Sequence, residues 1–510
     1  MIPTMTFKNI KQITGGLALI RHKLIAGAIA PFLAFSLAGC NGKVFQSLFA
    51  EGNEATILAM AILNGSPRIT SVTSAKADGR YGIGSKINVT VTFSKAVDLT
   101  GGNLNITLDS GATVSIAPFT NATTASATYT VAAGQDSADL RATAIALDSG
   151  AILTMSGKTK EAALALPGNN FSSKNIIIDT TPPTISSVTS TTANGLYGID
   201  DNVNVTVIMS EPVVLSGGPL NVTLDTGDVV SVSAGSFPAT QLSGTYTVGV
   251  GDTSADLNSS ATLALAAGSI SDTCDENVNT MSDFAIPSGQ NLADNKAIVV
   301  DGVAPANQDS VFSPSVTKKG TDTVTITSSG DASNQIWFAP AGTTVFAEGP
   351  IMTMAGGTAT VIDAPDTEGS YYIYIIDAAG NVSSPSIAVL TVDNTAPVIA
   401  ITAPNGGTNF STGAASQILS GSCSTDSTVT ITTSTGTVSD GNCSDGTWSL
   451  NAITLAEGAN TITVTATDGA GNAASDSMTI TLDTSLRDID ITFLQGADTT
   501  SPFGAGSLAI

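Results

Sequence analysis

The chain is almost without histidine. Among 510 residues only His22 is one, and it precedes an apolar run expected to be removed with a leader. The mature protein then has no imidazole, which excludes Ser-His-Asp and Cys-His catalysis and His-ligated zinc or iron sites. Aromatics make up 5% of the chain, and the tryptophans are two, Trp337 and Trp448. Either could stack on a sugar ring, but a lone Trp in a sandwich is more often core. Bases are scarce too: 18 Lys and Arg stand against 42 Asp and Glu, a formal charge of −24. Such a chain repels phosphate backbones and is expected to bind no nucleic acid, while it should attract divalent cations. No phosphate-cradling glycine loop or Cys-pair metal motif occurs. Paired carboxylates can hydrolyse sugars, but in so acidic a chain proximity means little. No catalytic residue is proposed, and a non-enzyme is expected.

What the chain has in abundance is Gly, Ser and Thr, with 50 Gly. That composition suits strands and turns. A slightly positive mean hydropathy of +0.27 argues against long disorder. At about 150 residues per domain the length predicts three or four domains.

The start reads as an address. Residues 1–40 contain Lys8, Lys11, Arg21 and Lys23 and no acid. Arg21, His22 and Lys23 precede the apolar run Leu24–Leu37, which is short of the roughly 20 residues that span a bilayer and has the length of a signal-peptide core. Leu37-Ala38-Gly39-Cys40 follows and resembles the bacterial lipobox, so Cys40 is the expected lipidation site and the membrane a partner through the lipid. With Asn41 rather than Asp after it, the outer membrane is the expected destination in a cell with two membranes. Residues 41–66 are read as a tether.

Two long segments then repeat. "ITSVTSAKADGRYGIGSKINVTVTF" from Ile69 and "ISSVTSTTANGLYGIDDNVNVTVIM" from Ile185 align with Tyr81 on Tyr197 and Asp109 on Asp225. "TYTV" and "SADL" recur further on, after a one-residue insertion. This is a duplicated domain. In Asn88–Ser94, Val89, Val91 and Phe93 alternate with Thr90 and Thr92, a half-buried antiparallel strand. Two shorter units follow, ending in "YYIYIIDAAGN" and "TITVTATDGAGN". The expected fold is all-β: tandem immunoglobulin-like β-sandwiches in an extended array. The expected domains are 67–182, 183–303, 304–395 and 396–484, followed by residues 485–510 as a tail or the start of a further domain. An Asp-and-proline motif marks the joints: "DTTPP" at 179, "DGVAP" at 301, "DNTAP" at 393 and a weaker "DTS" at 483. Proline restricts its own φ and the residue before it, so the joints are predicted to be stiff.

The first two units resemble bacterial cell-surface repeats of the "GxYxxGDxVxVTVxFSEPV" kind. The last two are similar to the bacterial immunoglobulin-like domains of large adhesins, with their "TDxAGN…VDTTAP" ending. This resemblance, over residues 67–484, implies the fold and an extracellular repeat protein of the adhesin kind, but no particular ligand; the lipid anchor is expected from Cys40. The resemblance also implies calcium at the joints. The carried-over sets are Asp377 and Asn381 with Asp393, Asp468 and Asn472 with Asp483, and Asp272 with Asp301. In the first unit Thr154 stands where Asp272 would be, although Asp179 remains. Calcium takes six to eight oxygens from carboxylates, amides and carbonyls, which such sets supply. The same residues are also ordinary turn formers.

Cys423 and Cys443 lie in one unit of an exported chain and are expected to pair across a loop of about 20 residues. Cys274 has no obvious partner. The expected function is a stalk or adhesin of the cell envelope, serving adhesion or spacing toward a protein or glycan ligand. The rival is an accessory or glycan-binding chain of a secreted hydrolase, which exposed coplanar aromatics on a sheet face would favour.

Overall fold

The computed structural model describes residues 65–443 and 445–487. Cys40, the leader, nearly all of the tether and residues 488–510 lie outside the described residues. The described chain is all-β, with tandem immunoglobulin-like sandwiches; its helices are single turns such as Leu292–Asn295 and Gln308–Val311. It divides into two compact units. One holds the residues up to Thr191 with Asn204–Thr245 and Ser259–Asn295; the other holds Thr192–Val203, Tyr246–Asn258 and the residues from Lys296 onward.

In the first unit the central strand is Lys86–Thr100. Ile87, Val89 and Val91 are fully buried on one face, with Thr90 and Thr92 on the other. It pairs antiparallel with Ile69–Thr73 and with Phe119–Thr130. The strand runs past Ser94, where the alternating pattern breaks. Ser94 and Lys95 are both exposed, the register against Phe119–Thr130 shifts there, and Val97 and Leu99 return to the core. The irregularity takes Lys95 out of the inward row, and Val97 and Leu99 then resume the odd-numbered positions that Val89, Val91 and Phe93 hold in the core. Leu104–Leu108, between Thr113–Ile116 and Ala142–Leu147, forms a separate sheet. Its Leu104 and Ile106 join the same buried cluster as Val89 and Val91. Two sheets sharing one core make a sandwich.

The duplication extends to the strand register. Val72 pairs with Val91 in the first copy and Val188 with Val207 in the second. A register shift falls at Ile69/Ser71 and again at Ile185/Ser187.

In the second unit, Gln335–Ala339 lies between Thr353–Gly356 and Gly369–Ile376. Ile336, Phe338, Ile373 and Ile375 fill the core. The opposite face of that strand is buried as well: Trp337 and Tyr374 pack beneath Phe346, whose ring centroid is 5.7 Å and 5.3 Å from theirs. Further along, Gly458–Thr467 and Ala473–Leu482 pair residue for residue as a hairpin. Ile462, Val464, Met478 and Ile480 enter one core with Trp448.

The last strand of each module bonds in parallel to an early strand. Ile176–Ile178 pairs with Gly79–Tyr81, Ile298–Asp301 with Gly195–Tyr197, and Leu390–Val392 with Val316–Lys318. Ala473–Leu482 pairs likewise with Phe410–Thr412. This pairing fixes where each joint aspartate leaves its sandwich.

Candidate functional site

Each joint aspartate shapes its own turn. The Oδ1 of Asp179 accepts the N–H of Thr181, that of Asp301 the N–H of Val303, that of Asp393 the N–H of Thr395, and that of Asp483 the N–H of Ser485, at 2.9–3.1 Å. An aspartate bonding the backbone two residues on is a turn former.

The "DAAGN" segment folds as a tight turn for local reasons. Asp377 N–H donates to the Asn381 carbonyl, and the Ala379 and Asn381 N–H groups donate to Asp377 Oδ1. Gly380 has φ +89°, a left-handed conformation that glycine adopts without strain. The turn at 468–472 repeats this, with Gly471 also at φ +89° and Asn472 N–H donating to Asp468 Oδ1. The longer "DTCDENVN" loop reaches the same end by another path. Asp272, 1% exposed, accepts the Cys274 and Asn279 N–H groups on Oδ1.

All three turns present a buried asparagine to a joint. Asn381 Nδ2 donates to the Asp301 main-chain carbonyl at 2.7 Å and to Asp377 Oδ2 at 3.0 Å. Its Oδ1 accepts the Ile199 N–H at 2.7 Å. Asn472 Nδ2 donates to the Asp393 carbonyl at 2.8 Å and to Asp468 Oδ2 at 3.0 Å. Asn279 Nδ2 donates to the Asp179 carbonyl at 3.0 Å and to Asp272 Oδ2 at 2.6 Å. The approach is close enough to demand glycine opposite. A Cβ on Gly198 would stand 2.5 Å from the Ala379 carbonyl oxygen, and one on Gly82, its counterpart in the first repeat, 1.8 Å from that of Asn277.

These groupings differ from the expected ones. Asp377 and Asn381 meet Asp301 rather than Asp393. Asp468 and Asn472 meet Asp393 rather than Asp483, and Asp272 meets Asp179 rather than Asp301. The reason is strand direction. Between the 468–472 turn and Asp483 runs the ten-residue strand Ala473–Leu482, which at about 3.3 Å per residue separates them by roughly 33 Å. A turn and the joint that follows it in sequence therefore sit at opposite ends of one sandwich, and the turn faces the joint before it.

The first joint carries side chains that the sequence reading did not single out. Arg80 Nη1 donates to Asp179 Oδ2 at 2.6 Å and stands 3.4 Å from Glu211 Oε2. The Cys274 thiol donates to Asp272 Oδ2 at 3.1 Å. Burial pushes the thiol well above its ordinary range, and the bond to Asp272 adds to this. Burial also raises the Glu211 carboxyl, with Asp179 and Asp272 raising it further and Arg80 opposing them. The signal for Arg80 was its rarity: the aligned position of the second repeat is Leu196.

The residues do not fit calcium. At the second joint both Asp377 oxygens and the Asn381 oxygen already accept N–H groups, and Asn381 turns its nitrogen, not its oxygen, toward the Asp301 carbonyl. Rotated by half a turn, the amide would set its oxygen against two acceptors. Among the described residues only Asp179, Asp272 and Cys274 bring three ligand atoms of His, Cys, Asp or Glu side chains within 4.8 Å of one another. There the guanidinium of Arg80 already neutralises Asp179, and a protonated thiol is no ligand for a hard cation.

Elsewhere, Cys423 and Cys443 are joined as a disulfide, with Cα atoms 6.0 Å apart, and Cys274 is free and buried. Trp337 and Trp448 are buried; their indole N–H groups donate to Gln335 Oε1 and to the Ala400 carbonyl.

The family model of glucodextranase, domain B, matches residues 397–484. No curated protein matches the chain in sequence. Among solved structures, the chain is similar to a tetra-tandem repeat in the extending region of a large adhesion protein. Identity is 16% over 82% of this chain and all of that one, with a TM-score of 0.27. A 1.5-MDa bacterial ice-binding adhesin matches at 13% identity over 82% of this chain and 98% of that one, TM-score 0.17. The Bacteroides ovatus mixed-linkage glucan utilization locus protein SGBP-B, in complex with a heptasaccharide, matches at 15% identity over 60% of this chain and 71% of that one, TM-score 0.14.

Proposed function

We propose that the protein is a lipid-anchored stalk of the bacterial cell envelope, held in the outer membrane through Cys40 and exposed at the surface. It spaces or presents immunoglobulin-like modules for adhesion to a protein or glycan, and is not itself a catalyst. The observation that carries this reading is the joint. Three times a buried asparagine of one module bonds the last carbonyl of the module before it. Short proline-stiffened links closed by such bonds suit a spacer better than a set of independent modules.

Small-angle scattering of the soluble part tests it. A compact globule of about 470 residues has a radius of gyration of roughly 23 Å. The expected value is clearly larger; one near the globular figure would end the stalk reading. Anchoring is tested separately: Cys40→Ala should release the protein from membranes or block its processing, and a mutant still membrane-bound at unchanged mass would refute lipidation.

A second reading, an accessory or glycan-binding chain of a secreted hydrolase, is favoured by the glucodextranase domain B match at 397–484. Binding of polysaccharides by this chain, abolished on removing that module, would select it.

A further inference from the structure

We infer that an asparagine side chain does at each joint the work expected of a calcium ion: Asn279 at the first, Asn381 at the second and Asn472 at the third. A bridging metal would hold an oxygen of the turn and an oxygen of the preceding joint together. The amide does the same with two N–H groups in one plane. One goes to the carboxylate of its own turn, the other to the carbonyl of the joint. The three asparagines are only 3–6% exposed, so water competes poorly for their bonds. The half-buried carbonyl beneath each would lose this partner with the side chain.

The three turns reach this arrangement from different sequences. Two are five-residue glycine turns and the third is a longer loop with a cysteine in it. What they share is the asparagine after an aspartate, with the aspartate's Oδ1 accepting the asparagine N–H in all three. The aspartate positions the amide, and the amide closes the joint. At the first joint Arg80 adds a fixed positive charge beside Asp179. The stiffness of the joints is therefore built into the chain and does not follow the divalent-ion concentration outside the cell.

Hydrogen exchange of the full chain, read by mass spectrometry in millimolar calcium and in chelator, tests this. In the wild type, peptides covering Ile199 and those covering the three asparagines should exchange at the same rate in both conditions. Asn381→Ala should speed exchange in the Ile199 peptide about tenfold or more, with or without calcium, because the amide oxygen that accepts this N–H is gone. Asn381→Asp, of the same size, keeps an oxygen for the Ile199 N–H but loses the donor to the Asp301 carbonyl and sets a carboxylate oxygen against it, so in chelator it too should exchange faster than the wild type. Peptides over Ile336–Phe338 and over Val205–Val207, in the cores of the two modules that this bond joins, report whether either variant has lost its fold more widely. The inference is overturned if calcium slows exchange at the wild-type joints by about tenfold, or if Asn381→Ala leaves the Ile199 peptide unchanged in a folded chain.

Discussion

The side-chain amide of Asn472 reaches the main-chain carbonyl of Asp393, 79 residues earlier, at 2.8 Å. The bond joins the turn between the hairpin strands Gly458–Thr467 and Ala473–Leu482 to the end of the preceding module's last strand. Its counterpart at Asp483, where the sequence reading had placed it, is a turn bonded to Ser485.

The contrast between these two aspartate joints is measurable. Asn472→Ala leaves a half-buried carbonyl and one carboxylate oxygen without their donor, and should destabilise the chain by about 1–3 kcal/mol. Asp483→Ala loses one exposed turn bond and should cost about 1 kcal/mol or less. Denaturant melting of the full chain separates the two, and equal costs would remove the distinction.

Glu211 gives the first joint a pH signature. Burial raises its carboxyl in the folded state, so the folded protein holds that proton more tightly than the unfolded chain does. The stabilisation from this group is complete below the ordinary carboxylate pKa and is lost as the pH rises through the raised value. Glu211→Gln mimics the protonated acid. It should melt above the wild type at neutral pH, with the gap closing on acidification through the carboxylate range. A variant that melts lower at neutral pH would show that the contact with Arg80 outweighs burial.

The disulfide should matter to one module. Cys423 and Cys443 close a loop with a sequence separation of 20 residues, worth roughly 3 kcal/mol in the chain-entropy model. Replacing both by Ser should lower the stability of the module containing Trp448, read from its fluorescence on unfolding. The transition of the module around Trp337 should stay in place. Movement of both transitions together would mean that the two modules unfold as one.

Much of this architecture was legible in the chain. Alternation of Val and Thr marked the strands, and the repeat from Ile69 to Ile185 predicted a copied register, which Val72 with Val91 and Val188 with Val207 display. The bulge at Ser94 was not legible, because two exposed residues in a row look like a strand end. The loop that lays Phe346 on Trp337 escaped for a similar reason: periodicity describes a strand's faces, not what a connection folds back onto them. The site was half legible. The residues singled out do lie at the joints, but their partners were assigned by nearness in sequence, whereas an antiparallel strand carries its two ends apart. Counting the ten residues from Ala473 to Leu482 would have supplied the correct pairing.

The receiving half of each clasp is a main-chain carbonyl, and every residue type has one. A module added upstream therefore needs no particular side chain to be gripped, only the bare backbone that Gly82 and Gly198 offer the approaching turn; the hydrogen-bonding side chains travel with the module behind it. Duplication of a unit such as 304–395, which carries the Asn381 turn, brings its own fastening, so an array of this design can lengthen or shorten by recombination with little new matching at the seam.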